Sequence, residues 1–401
     1  MSKDPSPSTE PTLPARIASV DTYRGAVMFL MMAEVLRLSK VAQSFPESPV
    51  WQALSFHQSH VAWRGCSVHD MIQPSFTFLV GVALPFSLAS RIRRGDSMGK
   101  SIFHAAWRAL ILIALGIFLR SMGRDQTNYT FEDTLTQIGL GYLPLFLIGL
   151  ARPWVRWAAL AVILVGYWGA FAAYPVPGPE YDYSAVGVPA DWQHHETGLA
   201  AHWNKNSNLA SRFDQWFLNL FPREKPFTHN GGGYSTLSFI PTLATMLLGL
   251  IAGGWLRGEG RSGGKLGRML LAAVVCVAAG WALDHYGLCP NVKRIWTPSW
   301  VLFSGGIAFA VLALLYATID LTGFTAWTYP LRVIGRNSIA AYCIAHLLDD
   351  FVLGSIKTHL GRDVFAVFGP TYEPLVAGAS ILGVYWLILF WMDRRGIYLR
   401  V

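Results

Sequence analysis

Charge is scarce in this chain. Of its 401 residues only 14% are Asp, Glu, Lys or Arg, whereas 53% are hydrophobic, and that excludes the usual balance of a soluble globular protein. Cysteine is scarcer still. Cys66, Cys276, Cys289 and Cys343 are the full set and show no CxxC spacing, which excludes the common zinc-ribbon and thiol-redox patterns. There is no repeat of fixed period and no second soluble domain. The opening "MSKDPSPSTEPTLPARIASVD" has no apolar core of signal-peptide type, so residues 1–15 read as a disordered tail and the first span as its own insertion signal. The net charge of +8 is spread over turns between apolar blocks. Nucleic-acid binding, which needs a basic face interleaved with stacking aromatics, is excluded on that ground.

What the chain has is apolar blocks of the length a helix needs to cross the hydrocarbon of a bilayer, roughly 20 residues. About ten can be read: 22–43, 68–90, 101–121, 133–151, 154–174, 235–256, 267–285, 298–318, 331–354 and 375–393. Helices are expected because backbone in contact with lipid must satisfy its own hydrogen bonds, and the weak ten-residue alternation of a β-barrel is not seen. The expected fold is an all-α, polytopic transmembrane bundle forming one domain over 16–401. The basic stretches "RIRRGDSMGK", "RPWVR", "RGEGRSGGKLGR" and "DRRGIYLR" all fall on one side if the span number is even. Both termini are then cytoplasmic, with the protein in the cell (inner) membrane. The one long connection, about 175–234, is too long for a tight turn and reads as an extracytoplasmic lid or binding loop.

On this topology ten of the eleven histidines lie at or near the outer side. "FHQSHVAWRGCSVHDMIQPSFTFLVG", residues 56–81, gathers His57, His60 and His69 with Asp70 just before a span. A histidine in an interfacial loop is ordinarily a solvated surface residue. Two sharper readings compete with that one. His57, His60, Cys66, His69 and Asp70 could ligate zinc, although the spacing matches no standard set. Alternatively His60 is a general base, with Asp70 orienting its imidazole or balancing its charge. Glu34, inside "AVMFLMMAEVLRL", is costly in a span and so is a functional candidate, with a structural pair to Arg37 or Arg24 as the alternative. Asp21 and Arg24 read as an ion pair at a helix entry, with Gly25 allowing close packing and contact with a cofactor as the alternative. Cys66 and Cys289 map to the same side and could pair.

Taken together, "RIASVDTYRGAVMFLMM", "HVAWRGCSVHDMIQPSFTFLVG", "LCPNVKRIWTPSWVL" and "IGRNSIAAYCIAH" resemble, in this order from about residue 16 to 350, the heparan-α-glucosaminide N-acetyltransferase family, its bacterial members above all. The resemblance implies a transmembrane acetyltransferase. It would take acetyl-CoA as donor from the cytoplasm and acetylate an amino sugar or glycan across the membrane. The family's catalytic histidine, which precedes its W-x-G element, maps to His60, before Trp63-Arg64-Gly65; its aspartate maps to Asp70. The late motif maps Asn337 and Ser338 to a helix of the acetyl-CoA tunnel, with Arg332 and Arg336 as nearby basic groups for the nucleotide end. No metal is implied, and the family precedent points to a homodimer, which the abundance of Trp and Phe would suit.

The chain departs from the family pattern in two places. Where the family has an asparagine that assists catalysis near the end of the first shared span, this sequence has Val35 with Glu34 beside it. The family's LQR element appears as Thr136-Gln137-Ile138, without the arginine. The outer loop carries Trp63-like aromatics beside polar groups: Trp203, Asn206 and Asp214, together with Trp63 itself, are candidate acceptor-binding residues, and Lys205, Trp216 and Arg223 lie among them. The same loop could equally pack over the bundle. Two other functions share this architecture: a proton-coupled solute transporter built on Glu34, Asp70 and the histidines, and an O-acyltransferase of cell-envelope polysaccharide.

Overall fold

The computed structural model describes residues 17–399; the expected tail at 1–15 lies outside the described residues. All regular elements among them are helical, apart from one isolated bridge between Arg64 and Val292. The chain begins with α1 (Ala18–Met32), α2 (Leu38–Ala42) and α3 (Pro49–His57), and α4 (Ile72–Arg93), α5 (Met98–Ser121), α6 (Thr134–Leu150) and α7 (Pro153–Ala173) follow. A long irregular connection holding α8 (Leu209–Phe217) leads to α9 (Phe239–Arg257), α10 (Ser262–His285) and α11 (Pro298–Leu315). The last elements are α12 (Tyr329–Arg336), α13 (Ser338–Leu347), α14 (Asp349–Leu360) and α15 (Glu373–Arg394).

Among the described residues seven helices are long and apolar enough to cross a membrane, those built on α4, α5, α7, α9, α10, α11 and α15. The pair α13 and α14, bent by 60°, makes an eighth if it is taken as one span. The block read at 133–151 is the shorter apolar helix α6. The block read at 22–43 is not one helix. α1 stops at Met32, a 3₁₀ turn covers Ala33–Leu36, and Arg37 takes a left-handed backbone with φ of 51°. A broken helix leaves backbone groups without partners, and the Gln58 side chain supplies them here. Its amide donates to the Ala33 carbonyl at 2.7 Å and accepts from the Leu38 N–H at 2.6 Å.

At the centre α4 and α9 touch backbone to backbone. A Cβ on Gly81 would collide with the Met246 carbonyl, and one on Gly249 with the Phe78 carbonyl, the close approach that small residues allow between helices in lipid. Gly25 plays the expected part in the same way, lying against the Leu331 carbonyl of α12, and Asp21 and Arg24 pair at 3.4 Å. The segment between α7 and α9 folds over one end of the bundle. Trp203 stacks on Phe171 of α7 with centroids 6.2 Å apart. Both belong to a second apolar cluster with Trp63, Cys289, Val292 and Ile295, so this cover is fastened to the loops before α4 and before α11.

Candidate functional site

The loop from Gln58 to Val68 carries His60, and three constraints fix its path. Gln58 is tied to the break after α1 as described. Ser59 caps back onto Ser55 through a 2.8 Å bond. At the far side Gly65, with φ of 123°, a conformation only glycine adopts easily, donates its N–H to the Asn291 carbonyl at 3.1 Å. Arg64 alongside it bonds Asp284 at 2.8 Å. Two loops distant in sequence, 58–68 and 286–297, are thereby held edge to edge.

Asp70 sits in the short 3₁₀ turn that leads into α4 and is 1% exposed. One carboxylate oxygen accepts from the Val61 N–H at 3.2 Å, the Ser67 N–H at 3.1 Å and the Ser67 hydroxyl at 3.0 Å. Its other oxygen, Oδ1, lies 2.8 Å from Nδ1 of His60 and 3.3 Å from Nζ of Lys293. Nζ is also 3.1 Å from that same Nδ1. Burial pulls the Lys293 ammonium down to about 8, against the pull of Asp70 in the other direction. His69 packs its ring 4.4 Å from that of His60. With Nδ1 engaged by Asp70, the neutral imidazole carries its lone pair on Nε2, and the ring is 38% exposed, open to the space beside it.

That space is a pair of cavities with a common wall. One, of about 640 Å³, is lined by His60, His69, Lys293, Arg120, Glu132, Asn230 and Tyr234 among others. A second, of about 580 Å³, is lined by Gln58, Arg37, Lys40 and Asp349. Met31, Glu34, His60, His69 and His346 line both. A third cavity, of about 350 Å³, lies toward the other end of the helices and is lined by Arg24, Ser87, Arg108, Tyr142 and Ser338; Phe76 lines this one and the first alike.

The residues singled out in the sequence fall into three groups. His60 and Asp70 are in direct contact, and Glu34, on the turn after α1, faces both cavities that His60 faces. Ser338 lines the third cavity. The remainder line none of these three. Asn337 is fully buried and spends its amide on the C-terminal segment, donating to the Ile397 carbonyl at 2.8 Å and accepting from the Leu399 N–H at 3.0 Å. Arg336 pairs with Asp393 at 3.0 Å, and Arg332 stands beside it on α12. Trp63 and Trp203 are fully buried in the second apolar cluster. Asn206, with φ of 55°, donates to the Val186 and Asn230 carbonyls at 2.8 and 3.0 Å. Asp214 accepts from the Thr236 N–H at 2.9 Å, and burial pushes its carboxyl up to about 7.

Cys66 and Cys289 are free thiols, and burial pushes them up to about 12 and about 11. Among the described residues no group of three or more His, Cys, Asp or Glu side chains is placed to hold a metal ion. Sequence reasoning missed Lys293, which lies inside the quoted "LCPNVKRIWTPSWVL". A lone lysine a few residues ahead of an apolar span was the available signal. His346 was passed over as one outer histidine among ten, Arg24 was read as a structural pair ahead of a cofactor contact, and Arg108 was not singled out.

Comparison with known proteins adds a name to this geometry. The chain is 26% identical over 379 residues to heparan-alpha-glucosaminide N-acetyltransferase of Homo sapiens, covering 84% of this chain and 54% of that one. Against the protein of the same name in Mus musculus it is 23% identical over 402 residues, covering 88% and 56%. It thus spans about half the length of the curated relatives it matches. No protein-family model matches it.

Proposed function

We propose that the chain belongs to the heparan-α-glucosaminide N-acetyltransferase family, to whose members in Homo sapiens and Mus musculus it is similar, and that it is a transmembrane acetyltransferase that moves an acetyl group from cytoplasmic acetyl-CoA to an amino sugar or glycan on the far side of the membrane. The observation that carries this reading is the placement of His60. Its ring is oriented by a buried carboxylate and stands in the wall shared by two cavities, and Phe76 lines both the larger of these and the third cavity.

In this proposal the third cavity admits the donor. Arg24 and Arg108 offer positive charge to phosphates, and Ser338 and Tyr142 offer hydroxyl groups. Arg336 and Asn337 act at one remove, by holding the C-terminal segment whose Leu399 lines that cavity. At the His60 end Asp70 keeps the proton on Nδ1, so that Nε2 either takes a proton from the acceptor amine or receives the acetyl group before passing it on. Glu34 faces the same cavities, where a carboxylate can hold the acceptor's ammonium until its proton is removed. The acceptor would occupy one of the two cavities that His60 faces. The protein works as a multi-pass protein of the cell membrane with both termini cytoplasmic and 175–234 as its extracytoplasmic cover. Trp63, Trp203, Asn206 and Asp214 serve acceptor binding by shaping that cover.

The test uses purified protein in lipid with radiolabelled acetyl-CoA and a panel of amino sugars and hydroxyl-only sugars. Transfer to an amino sugar by wild type and its loss in His60→Ala is the expected result. Transfer that survives His60→Ala removes the histidine from its role. Absence of transfer to every sugar, together with solute flux into liposomes, replaces the enzyme with a transporter. Acetylation of the hydroxyl-only sugars alone makes it an O-acyltransferase.

A further inference from the structure

Nδ1 of His60 has two partners that make opposite demands on it. A carboxylate at 2.8 Å calls for a proton on that nitrogen, and an ammonium at 3.1 Å can donate only if the nitrogen is bare. The contest is settled at Asp70 Oδ1, which both groups reach. The ring N–H and the lysine N–H both point to this one oxygen, and the lysine's charge lies on the carboxylate that would otherwise stabilise an imidazolium. A buried carboxylate paired in this way still orients the ring, but its charge is already neutralised. Lys293 is 4% exposed, and among the described residues its ammonium has no other hydrogen-bond or ion-pair partner.

We propose that Lys293 is a positioning residue that sets the pH range over which His60 presents an unprotonated Nε2 to the cavity. This rests on the reading of His60 as the reacting base. The other charged and titratable groups around the ring come from every element packed there. The turn before α4 contributes His69, with Cys66 in the loop ahead of it; the break after α1 contributes Glu34; and α13 contributes His346, its Nδ1 tied to the Tyr342 carbonyl at 2.8 Å. Across the larger cavity stand Arg120, Asp133, Tyr234, Tyr342 and Glu132, and burial pushes the Glu132 carboxyl upward. Arg294 is turned away to the Gly232 and Val61 carbonyls, and the second cavity adds Lys40 and the Arg37–Asp349 pair. A substitution at Lys293 alone leaves the identity and charge of all these groups unchanged, so the change reads the lysine's own contribution.

The experiment measures, without substrate, the rate at which diethyl pyrocarbonate modifies His60 as a function of pH. The reagent attacks only the unprotonated imidazole. Peptide mass spectrometry reads each histidine separately, with His57 as internal reference. In Lys293→Met the midpoint for His60 should rise by about one pH unit, the low end of the shift an uncompensated neighbouring charge produces. Lys293→Arg should leave it near the wild-type position, and Asp70→Asn should move it the other way. An unmoved midpoint in Lys293→Met overturns the proposal. Should that variant fail to fold, an unmoved midpoint in Asp70→Asn overturns it instead, since the lysine acts through that carboxylate. The acid limb of acetyl transfer is measured on the same variants. If modification shifts and transfer does not, Lys293 keeps its role and the reading of His60 as base falls.

Discussion

The stretch around His60 and the stretch around Asn337 look alike in the sequence, each a short polar motif at the edge of an apolar block, but the structure uses them differently. Around His60 the polar side chains converge on open space: a ring with one nitrogen engaged and the other facing a cavity. Around Asn337 they converge on backbone. The amide closes two hydrogen bonds to the C-terminal segment, and Arg336 closes an ion pair to Asp393. A motif of the first kind can act on a ligand directly, whereas one of the second kind acts by fixing the shape of what the ligand meets.

Substitutions at the two places should therefore fail in different ways. His60→Ala is expected to lower the rate of acetyl transfer about 100- to 10,000-fold, the range ascribed to a positioned acid–base group, with the thermal midpoint in detergent nearly unchanged; a large fall in that midpoint would put His60 in the second class. Asn337→Ala should do the reverse. Losing two buried hydrogen bonds costs roughly 1–3 kcal/mol, which lowers the thermal midpoint, and steady-state kinetics should show a higher KM for acetyl-CoA with kcat largely kept. A collapse of kcat at unchanged stability would erase the distinction. Asp214 in the cover offers a smaller effect that depends on pH. Its carboxyl is raised from 3.8 to about 7, so the folded protein binds this proton more tightly than the unfolded chain does. Stability from this group is greatest below about pH 4, falls as pH rises through 4 to 7, and is level above that. Asp214→Asn should flatten this decline, and thermal melts at pH 5 and pH 8 would show it as a smaller difference between the two.

Much of the bundle was legible because lipid leaves a helix few alternatives. Seven of the apolar blocks are helices long enough to span. The break in the first block was not legible, since it is stabilised by Gln58, a residue from another segment. His60 and Asp70 could be found because they lie ten residues apart in one crowded stretch. Lys293 reaches them only after the Arg64–Val292 bridge brings two loops together, a pairing with no local signal. Trp63 and Trp203 show the opposite limit. An aromatic beside amides suits a sugar in sequence, yet both rings pack inside the cover, because burial of a large apolar ring is as strong a reason for its presence as ligand contact.

The contact between α4 and α9 has a mechanical consequence. At Gly81 and Gly249 these helices approach so closely that a side chain at either position would force them apart. The turn bearing Asp70 leads into one of them, and the segment Thr236–Ser238 under the cover leads into the other. A pump that exposes its site alternately to each side needs two halves that rock. In this structure α4 and α9 pack as one unit, so rocking of that kind has to occur between this pair and the helices around it.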